Sequence, residues 1–466
     1  MHDLPVISQS KSLLRVGAPL ALASLAQTLA GTIAVAVAGH VGWRELCAVG
    51  LGASIFFTVA AFGAGVLLGI EPIASRAAGR GDVAGVRRAL GQGLLLAAGL
   101  ALVLGLALFA VSTGVRHAGV APEPADDLKL YLWGRLPGLT PYLAFVVLRS
   151  AAAAENRTRS VLAAALAANL CVLATAPPLA SVLGVLGVGL AESAGAVVQT
   201  LVLASLVPRP RFAGSLSLEA LMPLLRVGVP VGLALVAEYA VFAGLGLVVA
   251  VIEPDALGAH QVAMTWVGTL FMLPVGFGSG VAAQIGRALG RGDAAGARRV
   301  AGLSSGLALA LGTLLAAPFV LVPGNLAAWV TVDASALAGA SSLMSLAAAV
   351  LIVDSVQVVL VGAVRGAGDT RFALLASLLG HYAVGLPLGI ALATRGGLGV
   401  AGLWIGLGAG LTTIAVLLAL RLSRHREFES DPCLSRSRES SSFAPWRAPP
   451  YSPHRRAFPA SPPLRP

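Results

Sequence analysis

Four acidic residues stand inside or at the end of long apolar stretches of this 466-residue chain: Glu71, Glu192, Glu238 and Asp354. A charge at the centre of a bilayer costs about 3 kcal/mol or more, so an acid held there normally faces a cavity or a partner and does work. Glu238 follows Pro230 by eight residues, which is about 12 Å of helix. Asp354 sits mid-run in Leu351-Ile352-Val353-Asp354-Ser355-Val356-Gln357. No basic side chain lies at similar depth in the apolar runs of the C-terminal half, so neither acid has an evident counter-charge. Burial and a like-charged neighbour favour the protonated form of a carboxylate, whereas the ionised form attracts Na⁺ or an organic cation. Two positive partners competing for one negative site give exchange, if the conformational switch depends on which is bound. Glu238 and Asp354 are therefore the candidate cation- and proton-coupling pair, with Na⁺ as the ion they would hold in passing. Neither a resident metal nor a cofactor is expected beyond that coupling Na⁺ or H⁺.

The other two acids carry weaker signals. Glu192, in Gly187-Val188-Gly189-Leu190-Ala191-Glu192-Ser193, fits either the membrane interface or a turn into the N-terminal half. Glu71 is followed by Pro72 and Arg76, a setting that suits pairing at the interface. An intramembrane enzyme would need a metal cluster or a Ser/His pair. His260 and His381 are far apart and no HExxH is present, so an enzyme is not expected. Cys47, Cys171 and Cys433 form no CxxC and read as inert thiols.

Composition says what must position these acids. Hydrophobic residues make up 57% and charged residues 11%, against about a quarter charged in an ordinary soluble domain. The apolar runs are long enough for helices to cross a bilayer. Twelve are expected, near 14–38, 46–71, 87–112, 128–150, 160–181, 185–207, 224–251, 257–283, 298–322, 338–363, 372–394 and 398–422. The fifth and sixth are the hardest to separate, around Pro177-Pro178 and Gly184.

The chain also repeats itself. Leu13-Leu14-Arg15-Val16-Gly17-Ala18-Pro19 returns as Leu224-Leu225-Arg226-Val227-Gly228-Val229-Pro230, and Gly79-Arg80-Gly81-Asp82 returns as Gly290-Arg291-Gly292-Asp293, both 211 residues later. A constant offset is the mark of a duplicated unit. Six spans per unit is an even number, so both units enter the membrane in the same sense. The expected fold is an all-α polytopic membrane protein: 12 transmembrane helices in two six-helix bundles related by a pseudo-two-fold along the membrane normal. The alignment exposes mismatches. Glu238 faces Gln27 and Asp354 faces Tyr142, which makes Gln27 and Tyr142 secondary site candidates. Pro19 and Pro230 are repeat-equivalent prolines inside spans, candidates for helix bending.

Charge placement suggests orientation. Connections after even-numbered spans gather Arg76, Arg80, Arg87, Arg88, Arg149, Arg157, Arg159, Arg209, Arg211, Arg287, Arg291, Arg298, Arg299, Arg365 and Arg371. The positive-inside rule puts those loops and both termini in the cytoplasm, with the chain in the cell membrane. The organisation read from these signals is an N-terminal cytoplasmic segment (1–12), an N-lobe (13–208), a cytoplasmic linker (209–223), a C-lobe (224–422) and a disordered cytoplasmic tail (423–466). The tail holds eight of the arginines behind the net charge of +11, and the remaining positive charge suits membrane orientation better than nucleic-acid binding.

At this point the residues look familiar. Glu238-Tyr239-Ala240-Val241-Phe242, Gly258-Ala259-His260-Gln261-Val262-Ala263, Phe271-Met272-Leu273-Pro274-Val275-Gly276, Asp354-Ser355-Val356-Gln357, Gly362-Ala363-Val364-Arg365-Gly366 and Gly368-Asp369-Thr370-Arg371 resemble the multidrug and toxic compound extrusion (MATE) transporters over about residues 10–422. The resemblance implies two bundles around a V-shaped cleft. It also implies export of cationic, amphipathic small molecules in exchange for Na⁺ or H⁺, with the family's C-lobe cation-site acids falling on Glu238 and Asp354. A monomer in the lipid bilayer is expected. Many members carry N-lobe acids where this chain has Ala34 and Ala176, and Glu192 is a candidate for a relocated N-lobe carboxylate. The alternative, a flippase of the same superfamily for lipid-linked sugars or peptidoglycan precursors, would need basic residues in the cleft to hold phosphates. Arg135 is the main intramembrane one.

Overall fold

A chain immersed in lipid must satisfy its backbone polar groups within each segment, and helices do so. The computed structural model describes residues 6–114, 122–207, 209–210, 218–329 and 334–424, and its regular elements are all helical. The N-terminal lobe contains α1 (Val6–Val41), α2 (Trp43–Leu67), α3 (Ile70–Gly79), α4 (Val83–Gly114), α5 (Pro122–Ala154), α6 (Thr158–Leu183) and α7 (Val185–Leu206). The C-terminal lobe contains α8 (Leu218–Ile252), α9 (Leu257–Gly290), α10 (Ala294–Leu321), the short α11 (Pro323–Ala328), α12 (Ala334–Ala367), α13 (Thr370–Leu378), α14 (Leu386–Thr394) and α15 (Gly399–Arg424). A π-helical segment, Leu379–Gly385, joins α13 to α14. Twelve helical stretches among the described residues are long and apolar enough to cross a membrane, α2 with α3 forming one and α13 with α14 another. The tail beyond Arg424, with Cys433, and most of the linker lie outside the described residues.

Several helices overrun the apolar runs. α1 starts at Val6 rather than near 14, α9 continues to Gly290 and α12 to Ala367. Hydropathy marks only the hydrocarbon crossing, whereas backbone hydrogen bonding carries the helix on into the polar interface. Gly184, at φ 56°, separates α6 from α7. The Pro177-Pro178 pair lies inside α6. Pro19 and Pro230 likewise lie inside unbroken α1 and α8.

The repeat survives as structure. Gly81 and Gly292 hold φ values of 73° and 74° in the two Gly-Arg-Gly-Asp turns. Asp82 then accepts from the Gly85 backbone N–H, and Asp293 from that of Gly296, both at 2.7 Å. Each carboxylate caps the helix it precedes.

The lobes meet through equally matched contacts. A Cβ on Gly280 of α9 would stand 2.8 Å from Gly17 of α1, and one on Gly69, beside α3, would stand 2.8 Å from Gly228 of α8. Gly17 and Gly228 are repeat equivalents, as are Gly69 and Gly280, at the same 211-residue offset. Ser75 and Gly286, equivalents of each other, touch directly, which places the pseudo-two-fold axis between them. Small residues let the backbones approach this closely. Leu13 packs in the C-lobe cluster with Phe277, Val281 and Ile285. Its equivalent Leu224 packs in the N-lobe cluster with Val66, Ile70 and Ala74.

Candidate functional site

Glu238 on α8 and Asp354 on α12 are buried, with 6% and 0% of their surfaces exposed. They lie within electrostatic reach of each other. Glu238 Oε1 and both carboxylate oxygens of Asp354 lack a hydrogen-bond partner, as do both polar atoms of Gln357, one turn along α12. Neither acid forms an ion pair with any described residue. Leaving buried carboxylate oxygens unsatisfied is costly. An oxygen-only donor set of this kind suits a proton or a hard cation. Tyr239 lies within reach of both acids and of Tyr142 on the N-lobe's α5, and its ring packs edge-on against Phe57 of α2 at 5.3 Å. The secondary candidate Tyr142 therefore sits across from the acid pair. Gln27, on α1, is half-buried.

Glu192 has different company. It is buried within the N-lobe on α7. Tyr131 donates its hydroxyl to Glu192 Oε2 at 2.6 Å. Arg135 reaches the same oxygen at 3.5 Å, and its guanidinium lies 3.9 Å above the Phe56 ring. Glu71 also pairs, within the protein interior and with a partner from the other lobe: Arg365 Nε of α12 donates to its Oε2 at 2.7 Å. Arg76 donates to the Ala367 carbonyl.

These contacts form part of a seam between the lobes. Arg149 of α5 donates to Ser279 of α9 at 3.2 Å. Arg287 of α9 donates to the Ala153 and Ala154 carbonyls of α5. Gln284 donates to the Ser12 carbonyl. The interlobe hydrogen bonds named here all lie in the half of the molecule toward Gly79 and Gly290. Arg149, Arg287 and Arg365, counted as loop charges in the sequence, instead turn inward and hold the lobes together. A readable signal existed for one pair, since Arg76 and Arg287 are repeat equivalents. The partners Ser279 and the backbone carbonyls gave none. His260 and His381 pack separately, against Trp404 and Phe242.

The MatE family profile matches residues 19–177 and 230–391. A probable multidrug resistance protein NorM of Deinococcus radiodurans is 36% identical over 434 residues, covering 90% of this chain and 96% of that protein. The multidrug resistance protein MdtK of Edwardsiella ictaluri is 29% identical, covering 89% of this chain and 95% of that protein. Among solved structures, the eukaryotic MATE transporter AtDTX14 matches with a TM-score of 0.83 at 18% identity, over 93% of this chain and 99% of its own. The Vibrio cholerae MATE transporter VcmN in its bent form matches with a TM-score of 0.80 at 18% identity, over 91% of this chain and 98% of its own. At such identities the structures speak for the fold, while the profile and the sequence relatives speak for descent: the chain belongs to the MatE family.

Proposed function

We propose that this protein is a secondary antiporter that exports cationic or amphipathic compounds in exchange for Na⁺ or H⁺ by alternating access. The observation that carries the reading is the buried, unpaired acid pair Glu238 and Asp354. An acid compensated by a fixed basic side chain has no need of a mobile cation, whereas an uncompensated one binds either a proton, a Na⁺ ion or the charged end of a substrate. Competition between them couples the two fluxes. The matched lobes supply the moving parts. Their contacts gather at the end that carries the Gly-Arg-Gly-Asp turns, and the density of arginine there supports a cytoplasmic placement for that end and for both termini. The cleft would then face outward in this conformation. The relatives named for multidrug resistance support the substrate class. A flippase would have to hold a diphosphate, and the single guanidinium of Arg135, partly compensated by Glu192, is poorly suited to that.

The test is ethidium efflux from vesicles under an imposed Na⁺ or H⁺ gradient, comparing the parent with Glu238→Gln and Asp354→Asn. The parent is expected to respond to one gradient and both variants to lose that response. Variants that pump like the parent would refute the site.

A further inference from the structure

The N-lobe carries a feature that cation exchange alone does not require. Arg135, Tyr142 and Arg149 recur every seven residues along α5, about two helical turns, so they share one face. Two of the three reach the other lobe. Arg149 bonds Ser279 of α9, and Tyr142 lies within electrostatic reach of Tyr239 of α8 and of Arg135. Arg135 ends the row. Its guanidinium lies 3.9 Å above the Phe56 ring, while the neighbouring Phe57 packs against Tyr239 of the C-lobe. Tyr142, between Arg135 and the Tyr239 that follows Glu238 on α8, lies within reach of both, so the row leads from Arg135 toward the helix that carries Glu238.

Its pairing is loose. Glu192 is 3.5 Å from Arg135 Nε, and Nε, sealed from solvent, has no hydrogen-bond partner. The Glu192 oxygen it approaches already accepts the Tyr131 hydroxyl at 2.6 Å. Even so, 16% of the Arg135 side chain stays exposed. A guanidinium held flat on an aromatic ring keeps its donor edge oriented and matches a carboxylate in a two-pronged fashion. Exchanging Glu192 for a substrate carboxylate replaces one anion by another, and Tyr131 remains to stabilise the carboxylate left behind.

We propose that Arg135, seated on Phe56 and loosely paired to Glu192, is an anion-recognising subsite that takes the carboxylate of zwitterionic substrates while the C-lobe acids receive the cationic end. One guanidinium, partly compensated, fits a monoanion rather than a diphosphate. The subsite rests on the antiporter reading above and adds to it a second charge specificity.

The experiment uses the full chain in proteoliposomes and two dyes that differ by one ester: rhodamine 123, a methyl ester and a cation, and rhodamine 110, its free acid. Gradient-driven transport of each is measured for the parent, for Arg135→Lys, and for the double variant Arg135→Gln/Glu192→Gln, which removes the pair without stranding a charge. The parent is expected to carry both dyes. The ratio of kcat/KM for rhodamine 110 to that for rhodamine 123 should fall about tenfold in the double variant, mainly through KM, and by less in Arg135→Lys. A ratio that stays within about twofold of the parent's in both variants overturns the subsite. So does a parent that carries rhodamine 123 but not rhodamine 110, and in that case the antiporter reading stands. A parent that carries neither dye also overturns the subsite, and ethidium efflux measured on the same proteoliposomes decides separately whether the antiporter reading stands.

Discussion

Buried acids sit in both lobes, and they are kept in opposite ways. In the C-lobe, Glu238 and Asp354 lie within electrostatic reach of each other and have no basic partner among the described residues, with three of their four carboxylate oxygens unsatisfied. In the N-lobe, Glu192 has Tyr131 and Arg135, and Glu71 reaches across the seam to Arg365. The two lobes share a scaffold down to matched turns and glycine contacts. Chemistry therefore separates them where architecture does not. A paired acid holds structure together, because removing either partner strands a charge. An unpaired acid weakens the structure, and under the proposed exchange a visiting cation would offset that cost.

The sharpest way to break this contrast is to neutralise acids of each kind. Glu238→Gln and Asp354→Asn should lower gradient-driven ethidium transport at least about tenfold. Their unfolding temperatures in detergent should hold or rise, since an uncompensated buried charge is removed. A fall of several degrees in both would place these acids with the paired class. Glu71→Ala should do the reverse of sparing stability, costing about 3–5 kcal/mol by leaving Arg365 buried without its partner; chemical denaturation in detergent reads this directly. Glu192→Gln should cost less, about 1.5–3 kcal/mol, because Arg135 keeps Phe56 beneath it and some exposure. If Glu192→Gln instead shifted the pH dependence of transport as Glu238→Gln does, the N-lobe would hold a coupling acid of its own. The smallest effects test the shared scaffold. Asp82→Ala and Asp293→Ala each remove one helix cap and should each cost about 1 kcal/mol, and unequal losses would show that the two turns bear different loads.

Part of the site was open to inspection in the sequence. Glu238 and Asp354 stood out because lipid penalises charge, and the repeat alignment set them against Gln27 and Tyr142. Gln357 went unnoticed, since an uncharged amide inside an apolar run raises no alarm until its polar atoms prove unpartnered. Glu192 was visible as an acid, yet not as a paired one. Its partners lie 57 and 61 residues away on α5, and single-chain spacing carries no signal over that separation.

Hydropathy and the 211-residue echo determined the number of spans, their grouping into two like bundles and the sense of their symmetry. Those properties follow from solvent preference and duplication, which act locally along the chain. Tertiary structure alone decided which charges find partners. Arg149, Arg287 and Arg365 look like loop charges in the sequence, but helices that extend past the apolar runs and meet at glycines bring them against Ser279, the Ala153 carbonyl and Glu71. Whether a buried charge is structural or available to a mobile ion depends on a few ångströms between distant segments, and only the packed fold sets that distance.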